Sequence, residues 1–224
     1  MRDRPILFKS PMVRAILNGT KTQTRRVVKP VRGFEHNNVC RPDMAADQHA
    51  VWWHGESERV GCLQECPYGQ PGDRLWVRET WQYADWTDDG QPYVRYASDS
   101  QVRFCEGAGE GESLVDIWAH LSSPDNYEID NKAADRKWRP SIFMPRWASR
   151  LTLTITDVRV ERLQDCSESD AEAEGIAFIR EHPDLDETLT APQLYAAVWD
   201  SINGAGAWDA NPWVWVVTFR RVDP

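Results

Sequence analysis

Apolar and polar residues alternate along several stretches of the chain with the period of a strand. Leu151, Leu153 and Ile155 interleave with Thr152, Thr154 and Thr156, and the apolar phase then moves to Val158 and Val160. The pattern predicts one continuous strand with a bulge near Asp157. Over 74–81, Leu75, Val77 and Glu79 share one face, and Arg74, Trp76, Arg78 and Thr80 share the other. From Trp213 to Arg221 both faces are apolar, which predicts a central strand. Shorter strands are predicted at 5–8, 22–29 and 93–97. Elsewhere the period is helical. Ser10 and Pro11 suit the start of a helix over 11–18, Met12, Ile16 and Leu17 form its apolar stripe, and Gly19 suits its end. Ser167 and Asp170 read as a capping box for a short helix that runs to Glu174 and stops at Gly175. A longer helix starts near Pro192, with Leu194, Val198 and Ile202 as its buried stripe and Tyr195 and Trp199 beside it.

Between these elements the period disappears. Residues of about 31–66 and 82–137 are punctuated by Gly, Asn and Pro, and read as two loop-rich insertions, with a helical turn or two at 113–121. The apolar, irregular run 138–147 is expected to pack across the fold beside the site, its path set by Pro140 and Pro145. Short strands mixed with two or three helices predict an α+β domain over 1–224, built as a small β-barrel with helices across its mouths.

Charge changes this picture locally. The chain carries 26 Lys and Arg against 35 Asp and Glu, a net charge of -9. Residues 1–32 nevertheless hold nine Lys or Arg and one acid, Asp3. A basic focus in an acidic chain points to a local anion or nucleotide site, and the overall balance argues against a protein that coats long duplexes. The 12 Trp imply much aromatic burial; Trp76, Trp81, Trp147 and Trp213 are the best placed to stack on a base, with core packing the first expectation for each. No apolar run is long enough to cross a membrane, and Met1–Pro5 lacks the apolar core of an export signal. With five Cys and no such signal, a cytoplasmic protein with reduced thiols is expected.

The basic focus centres on Gly19-Thr20-Lys21-Thr22-Gln23-Thr24-Arg25-Arg26, directly after the first predicted helix. Gly-x-Lys-x-x-Thr-Arg in that position resembles the signature of ASCH-domain proteins, relatives of the PUA RNA-binding fold. The turn-Gly-Asp-strand unit at 69–81 resembles the same pattern. The likeness spans roughly 4–30, 67–81 and 146–222. Pro5–Phe8, Cys66–Gly69, Pro145–Arg150 and Trp199–Gly204 look like ASCH proteins of phages and prophages. The resemblance implies a PUA-like barrel and a nucleoside or single-stranded nucleic acid as partner. Some small bacterial ASCH proteins hydrolyse N4-acetylcytidine with a Lys, a Thr and a Glu at the end of a short helix. Carried over, these are Lys21, Thr24 and Glu174, with Glu172 as the fallback.

The chemistry also stands on the residue types. An amide hydrolase needs a nucleophile, a base and an acid for the leaving amine. Thr24 has a hydroxyl, Lys21 is a base once Arg25 and burial lower its proton affinity, and Glu174 sits at a helix end that disfavours its charge. Against this, Lys21 and Thr24 are three apart, so a straight strand points them to opposite faces. Arg25 and Arg78 are candidate ligand contacts, as are Trp76, Trp147 and Glu79, whose place on an apolar face suggests a barrel mouth or a paired Arg. The competing reading for Arg25, Arg26 and Arg78 is ion pairing with the ten acids of 161–190. Cys40, Cys62, Cys66 and His54 offer a Cys₃His zinc set, although their spacing is weakly specific and no cofactor is the primary expectation. Two further readings use the same basic cleft: a non-catalytic module that recognises a modified base in RNA or DNA, and a nuclease.

Overall fold

A computed structural model describes residues 1–29, 39–40, 50–54, 61–86, 92–104, 137–177 and 189–222. In chain order the elements are β1 (Asp3–Leu7), α1 (Ser10–Leu17), β2 (Gln23–Val27), β3 (Val39–Cys40), β4 (Ala50–His54), β5 (Gly61–Glu65) and β6 (Arg74–Arg78). Then come β7 (Trp81–Trp86), β8 (Pro92–Tyr96), β9 (Val102–Phe104), β10 (Thr152–Arg162), α2 (Glu168–Ala173), α3 (Ala191–Asn203) and β11 (Trp213–Val222). Single 3₁₀ turns occupy Ser141–Phe143, Arg146–Ala148 and Leu163–Asp165. Among the described residues no helix is long and apolar enough to cross a membrane.

The α+β mixture is as expected, and the barrel is not. The largest sheet has the order β1-β6-β10-β11-β2, with β1 and β2 at its two ends and unpaired to each other. No sheet among the described residues closes. Closure needs the two edge strands to hydrogen-bond, and here the chain leading into β2 is bonded to the end of α2 instead. Thr22 N donates to Ala173 O at 2.9 Å, and Lys21 forms a bridge with Glu174. The alternation in the sequence reports which faces are buried; it carries no information about edge partners.

The two stretches read as loop-rich insertions contain strands where they are described. One holds the antiparallel meander β3-β4-β5 and the other the meander β7-β8-β9. The helical turn expected at 113–121 lies outside the described residues. β10 is continuous, and its burial changes phase as the sequence predicts, with Leu153 and Ile155 buried before the slip and Val158 and Val160 after it. β11 is interior to the sheet and buried on both faces. The stripe of α3 is displaced from the one expected. Ala191, Leu194, Tyr195 and Trp199 are buried, whereas Ile202 is exposed in the last turn.

The chain divides into two compact units. One comprises Met1–Arg4, Ala15–Leu75 and Leu153–Pro224, and the other Pro5–Arg14 and Trp76–Thr152. In the first, α2 and α3 bury Ala171, Ala191, Leu194, Tyr195 and Trp199 with Val214 and Val216 of β11. In the second, Trp81, Tyr83, Val94 and Tyr96 of the β7-β8 hairpin pack with Met144 and Ala148. The run 138–147 thus contributes Met144 to a core, but Trp138, Ile142 and Phe143 are exposed, contrary to the packing expected of the whole segment.

Candidate functional site

The turn after α1 delivers Lys21. Gly19 has a φ of 76° and its N–H donates to Ile16 O, while the N–H groups of Thr20 and Lys21 both donate to Ala15 O. The helix carbonyls are satisfied by the turn, and Lys21 is fixed before β2 begins. Glu174 arrives from α2. Ser167 caps that helix through a capping box with Asp170, and Glu174 is its C-terminal cap residue. Gly175 follows with a φ of 78°, and a Cβ there would lie 2.7 Å from Lys21 Cβ and 2.8 Å from Ala15 Cβ. Only glycine lets α2 end this close to the turn that carries Lys21.

Lys21 and Glu174 meet in the interior, 3% and 4% exposed. Lys21 Nζ donates to Glu174 Oε2 at 2.7 Å, to Glu174 O at 2.8 Å and to Gln23 O at 2.8 Å. Burial lowers the proton affinity of Lys21, the neighbouring Arg26 and Arg25 act in the same sense, and Glu174 only partly offsets them. The other Glu174 oxygen, Oε1, accepts from Arg25 Nη1 at 3.3 Å.

Arg25 joins a wider polar cluster. Its Nη2 and Nε donate to Glu161 Oε1 at 2.6 and 3.1 Å, its Nη1 to Gln23 Oε1 at 2.6 Å, and Asp170 Oδ2 lies 3.4 Å away. Arg159 binds both acids from outside, contacting Glu161 Oε2 and Asp170 Oδ1 at 2.9 Å. Burial opposes the ionisation of Asp170, but the hydrogen bond from Ser167 and the charges of Arg25 and Arg159 overcome it and hold the carboxyl at about 2. Burial, with the Glu174 carboxylate, pushes the Tyr195 hydroxyl well above its usual range. Burial also pushes the Cys166 thiol up to about 12, against the opposing charge of Arg25.

The expected residues therefore divide into groups. Lys21, Glu174 and Arg25 come together, and Arg25 does so through the ion pairs of the competing reading. Thr24 is buried, but it is the neighbour of Gln23 and Arg25 on β2 and its side chain belongs to the opposite face. Among the described residues no hydrogen bond joins the Thr24 hydroxyl to Lys21 or Glu174. Glu172 is half-buried on α2.

Glu79, Arg78, Trp76 and Trp147 belong to the other unit. Glu79 has the paired Arg that its apolar face suggested: Arg150 binds both of its oxygens, at 2.9 and 3.1 Å, and Ser98 Oγ donates to it at 2.6 Å. Arg78 Nε donates to Met144 O at 2.9 Å, and its guanidinium lies 5.0 Å from the centre of the Trp76 ring. Trp147 packs edge-on against Trp81 at 5.9 Å. Of the zinc set, only Cys66 has a described side chain. It is buried, and burial pushes its thiol up to about 11. The side chains of Cys40, Cys62 and His54 lie outside the described residues. Among the described residues no group of three or more His, Cys, Asp or Glu is arranged to hold a metal.

Sequence reasoning missed Gln23, Glu161, Asp170 and Tyr195 as members of the cluster. The signal available was a half-buried acid, Glu161, on the strongly alternating β10, and Asp170 in a recognised capping box. No family model, curated protein or solved structure matches this chain.

Proposed function

We propose that this is an ASCH-type protein that binds a nucleoside and hydrolyses an N-acylated base such as N4-acetylcytidine. The observation that carries the reading is the buried Lys21–Glu174 pair, 2.7 Å apart, with the proton affinity of Lys21 lowered. A proton passing from Lys21 to Glu174 leaves a neutral amine and a carboxylic acid. The amine then takes the proton of the attacking oxygen as its bond to the acyl carbon forms. The acid protonates the base nitrogen as the C–N bond breaks. With water as nucleophile the products are cytidine and acetate. Thr24, on the opposite face of β2, is left out of this route, so Thr24→Val should keep turnover; its complete loss in a folded variant would restore Thr24 as the nucleophile, through an acyl ester that water then cleaves.

The decisive experiment is a mass-resolved assay of the purified protein with N4-acetylcytidine beside Lys21→Ala, with circular dichroism to check folding. Cytidine from the parent alone supports the reading. No cytidine from a folded parent refutes this substrate.

A second reading is favoured by one observation. All three Lys21 donors already have protein acceptors, as a purely structural clasp between α2 and the start of β2 would have. The protein is then a non-catalytic recognition module. It predicts saturable binding of the modified nucleoside in a calorimetric titration, with no product.

A further inference from the structure

The turn at 66–73 and the residues leading into β1 enclose an open cavity of about 190 Å³, within one compact unit. None of Lys21, Arg25 and Glu174 lines it. Its floor is built by turn chemistry. Gly69 N donates to Cys66 O at 3.1 Å, Asp73 N to Gln70 O at 2.9 Å, and Gly72 N to Ile155 O at 2.9 Å. Gly69 has a φ of 117°, and a Cβ there would lie 2.9 Å from Asp73 Oδ2, so only glycine lets the turn close on that carboxylate. Asp73 is 6% exposed and accepts from Arg2 N at 2.8 Å and Gln70 N at 3.3 Å. Burial opposes its charge, but these two N–H groups overcome it and hold the carboxyl below its usual range.

The wall carries the opposite sign. Arg2 and Arg4 are two apart along an extended chain and so share a face. Arg4 is half-buried, and its Nη1 donates to Pro67 O at 2.6 Å, which fixes one edge of the guanidinium over the turn. Among the described residues neither arginine forms a salt bridge, and Arg2 makes no side-chain hydrogen bond. Glu65, exposed at the end of β5, also lines the cavity without a salt bridge. Two guanidinium groups and two carboxylates thus border one small space with their charges unanswered.

We infer that this cavity binds a small free amino acid, its carboxylate on Arg4 and Arg2 and its ammonium on Asp73 and Glu65. An anion alone would sit against two carboxylates, and a cation alone against two guanidinium groups; a zwitterion answers both signs. Size points the same way. A cavity of about 150 Å³ holds benzene, so this one has room for about eight non-hydrogen atoms, whereas sites for drug-sized ligands start at about 300 Å³. The lining is mainly polar, which suits a short or polar side chain. The inference stands on this cavity alone and does not depend on the Lys21–Glu174 reading.

The test is a titration of the ¹⁵N-labelled protein with L-serine, glycine and L-asparagine, followed by ¹H–¹⁵N correlation spectra at low salt without any nucleoside. L-serine should saturate at about millimolar concentration, with the largest shifts on the amides of Gly69, Gln70 and Asp73. Two fragments of serine separate the charges: ethanolamine lacks the carboxylate and 3-hydroxypropionate lacks the ammonium. Each should bind about tenfold more weakly than serine. Arg4→Gln should weaken serine about tenfold and leave ethanolamine unchanged; Glu65→Gln should weaken serine and leave 3-hydroxypropionate unchanged or tighter. Glu65 is exposed, so its substitution spares the fold. A thermal melt checks Arg4→Gln, and Arg2→Gln, which gives up no side-chain hydrogen bond, makes the same test should Arg4→Gln unfold. Failure of all three amino acids to saturate these amides by about 10 mM overturns the inference. So does 3-hydroxypropionate binding as tightly as serine, which identifies a plain anion site, or unchanged serine affinity in the folded arginine and Glu65 variants.

Discussion

Breaking the Lys21–Glu174 pair from one side should be costly, and breaking it from both sides should cost less than the sum. Lys21→Met keeps most of the side-chain volume and removes the ammonium. It strands the carbonyls of Gln23 and Glu174 and leaves Glu174 with Arg25 at 3.3 Å as its remaining cation. Removing one partner of a buried pair costs about 3–5 kcal/mol. The persisting Arg25 contact argues for the lower end, about 3 kcal/mol. In a chain of this size that lowers Tm by about 6–12 °C. Glu174→Gln leaves Lys21 with two backbone acceptors and no counter-charge. Its lowered proton affinity then limits the damage, because the amine sheds its proton rather than remain charged in the interior. The double variant removes both charges, so the two penalties should overlap by about 1.5–3 kcal/mol. Urea titrations and thermal melts by circular dichroism measure all four corners of the cycle. A Tm for Lys21→Met within about 2 °C of the parent, or strict additivity in the double variant, would refute the buried-pair argument.

Other consequences follow from particular contacts. Gly175→Ala should cost about 2–4 kcal/mol, from a left-handed backbone and collisions with Lys21 and Ala15, whereas Gly72→Ala, which meets nothing within 4 Å, should cost only about 1–2 kcal/mol in a urea titration. Asp170→Asn should destabilise at neutral pH, and the penalty should vanish on acidification: a carboxyl held at about 2 contributes stability above its ordinary range and loses it as pH falls through to about 2. Lys21 acts in the same sense, in an alkaline window. Its folded proton affinity is lowered, so between that value and its ordinary one the unfolded chain binds the extra proton and stability rises with pH; the difference in urea midpoint between parent and Lys21→Met should grow in that window. At pH 8, Cys66 and Cys166 should resist iodoacetamide in the native protein and react in urea; the shift of Cys66 from 9.0 to about 11 alone makes its thiolate about a hundredfold scarcer, and peptide mapping by mass spectrometry reads each site.

The sequence carries its local rules well. Gly19 and Gly175 end helices where their left-handed conformations require, the Ser167–Asp170 capping box forms, and the phase slip in β10 falls between Ile155 and Val158. Each of these depends on neighbours within a few residues. Edge pairing does not, which is why the barrel expectation failed: nothing in the alternation of β1 or β2 says that the chain before β2 bonds to Ala173. Burial at an element's end is similarly non-local, as exposed Ile202 shows. In the cluster, Arg25 reaches Glu161 and Glu174 across 136 and 149 residues, a span over which no periodicity speaks. In the sequence only the ASCH resemblance links Lys21 with Glu174, and the second role of Gly175, excluding a Cβ from Lys21, belongs to the fold.

The charge count of the cluster bears on what it does. Lys21, Arg25 and Arg159 face Glu161, Asp170 and Glu174, three cations against three anions, with the more exposed Asp157 reaching only Arg159, at 3.9 Å. A buried group of this kind is a poor source of stability compared with apolar packing of equal volume. Moving a proton from Lys21 to Glu174 leaves its net charge unchanged, while moving it to solvent would leave an uncompensated anion in the interior. The arrangement therefore favours internal transfer over loss of the proton. Arg159 is the outermost of the three cations, and removing it would tip the balance towards the acids without touching Lys21. Arg159→Gln should accordingly raise the proton affinity of Lys21. In an active enzyme the alkaline loss of rate, where the pair gives its proton up to solvent, should move to higher pH, and Lys21 should become protonated over a wider range in a titration followed by NMR of a ¹⁵N-labelled lysine side chain. An unmoved Lys21 titration in folded Arg159→Gln would mean that the charge of Arg159 does not reach the pair, and that Lys21 and Glu174 work apart from the outer cluster.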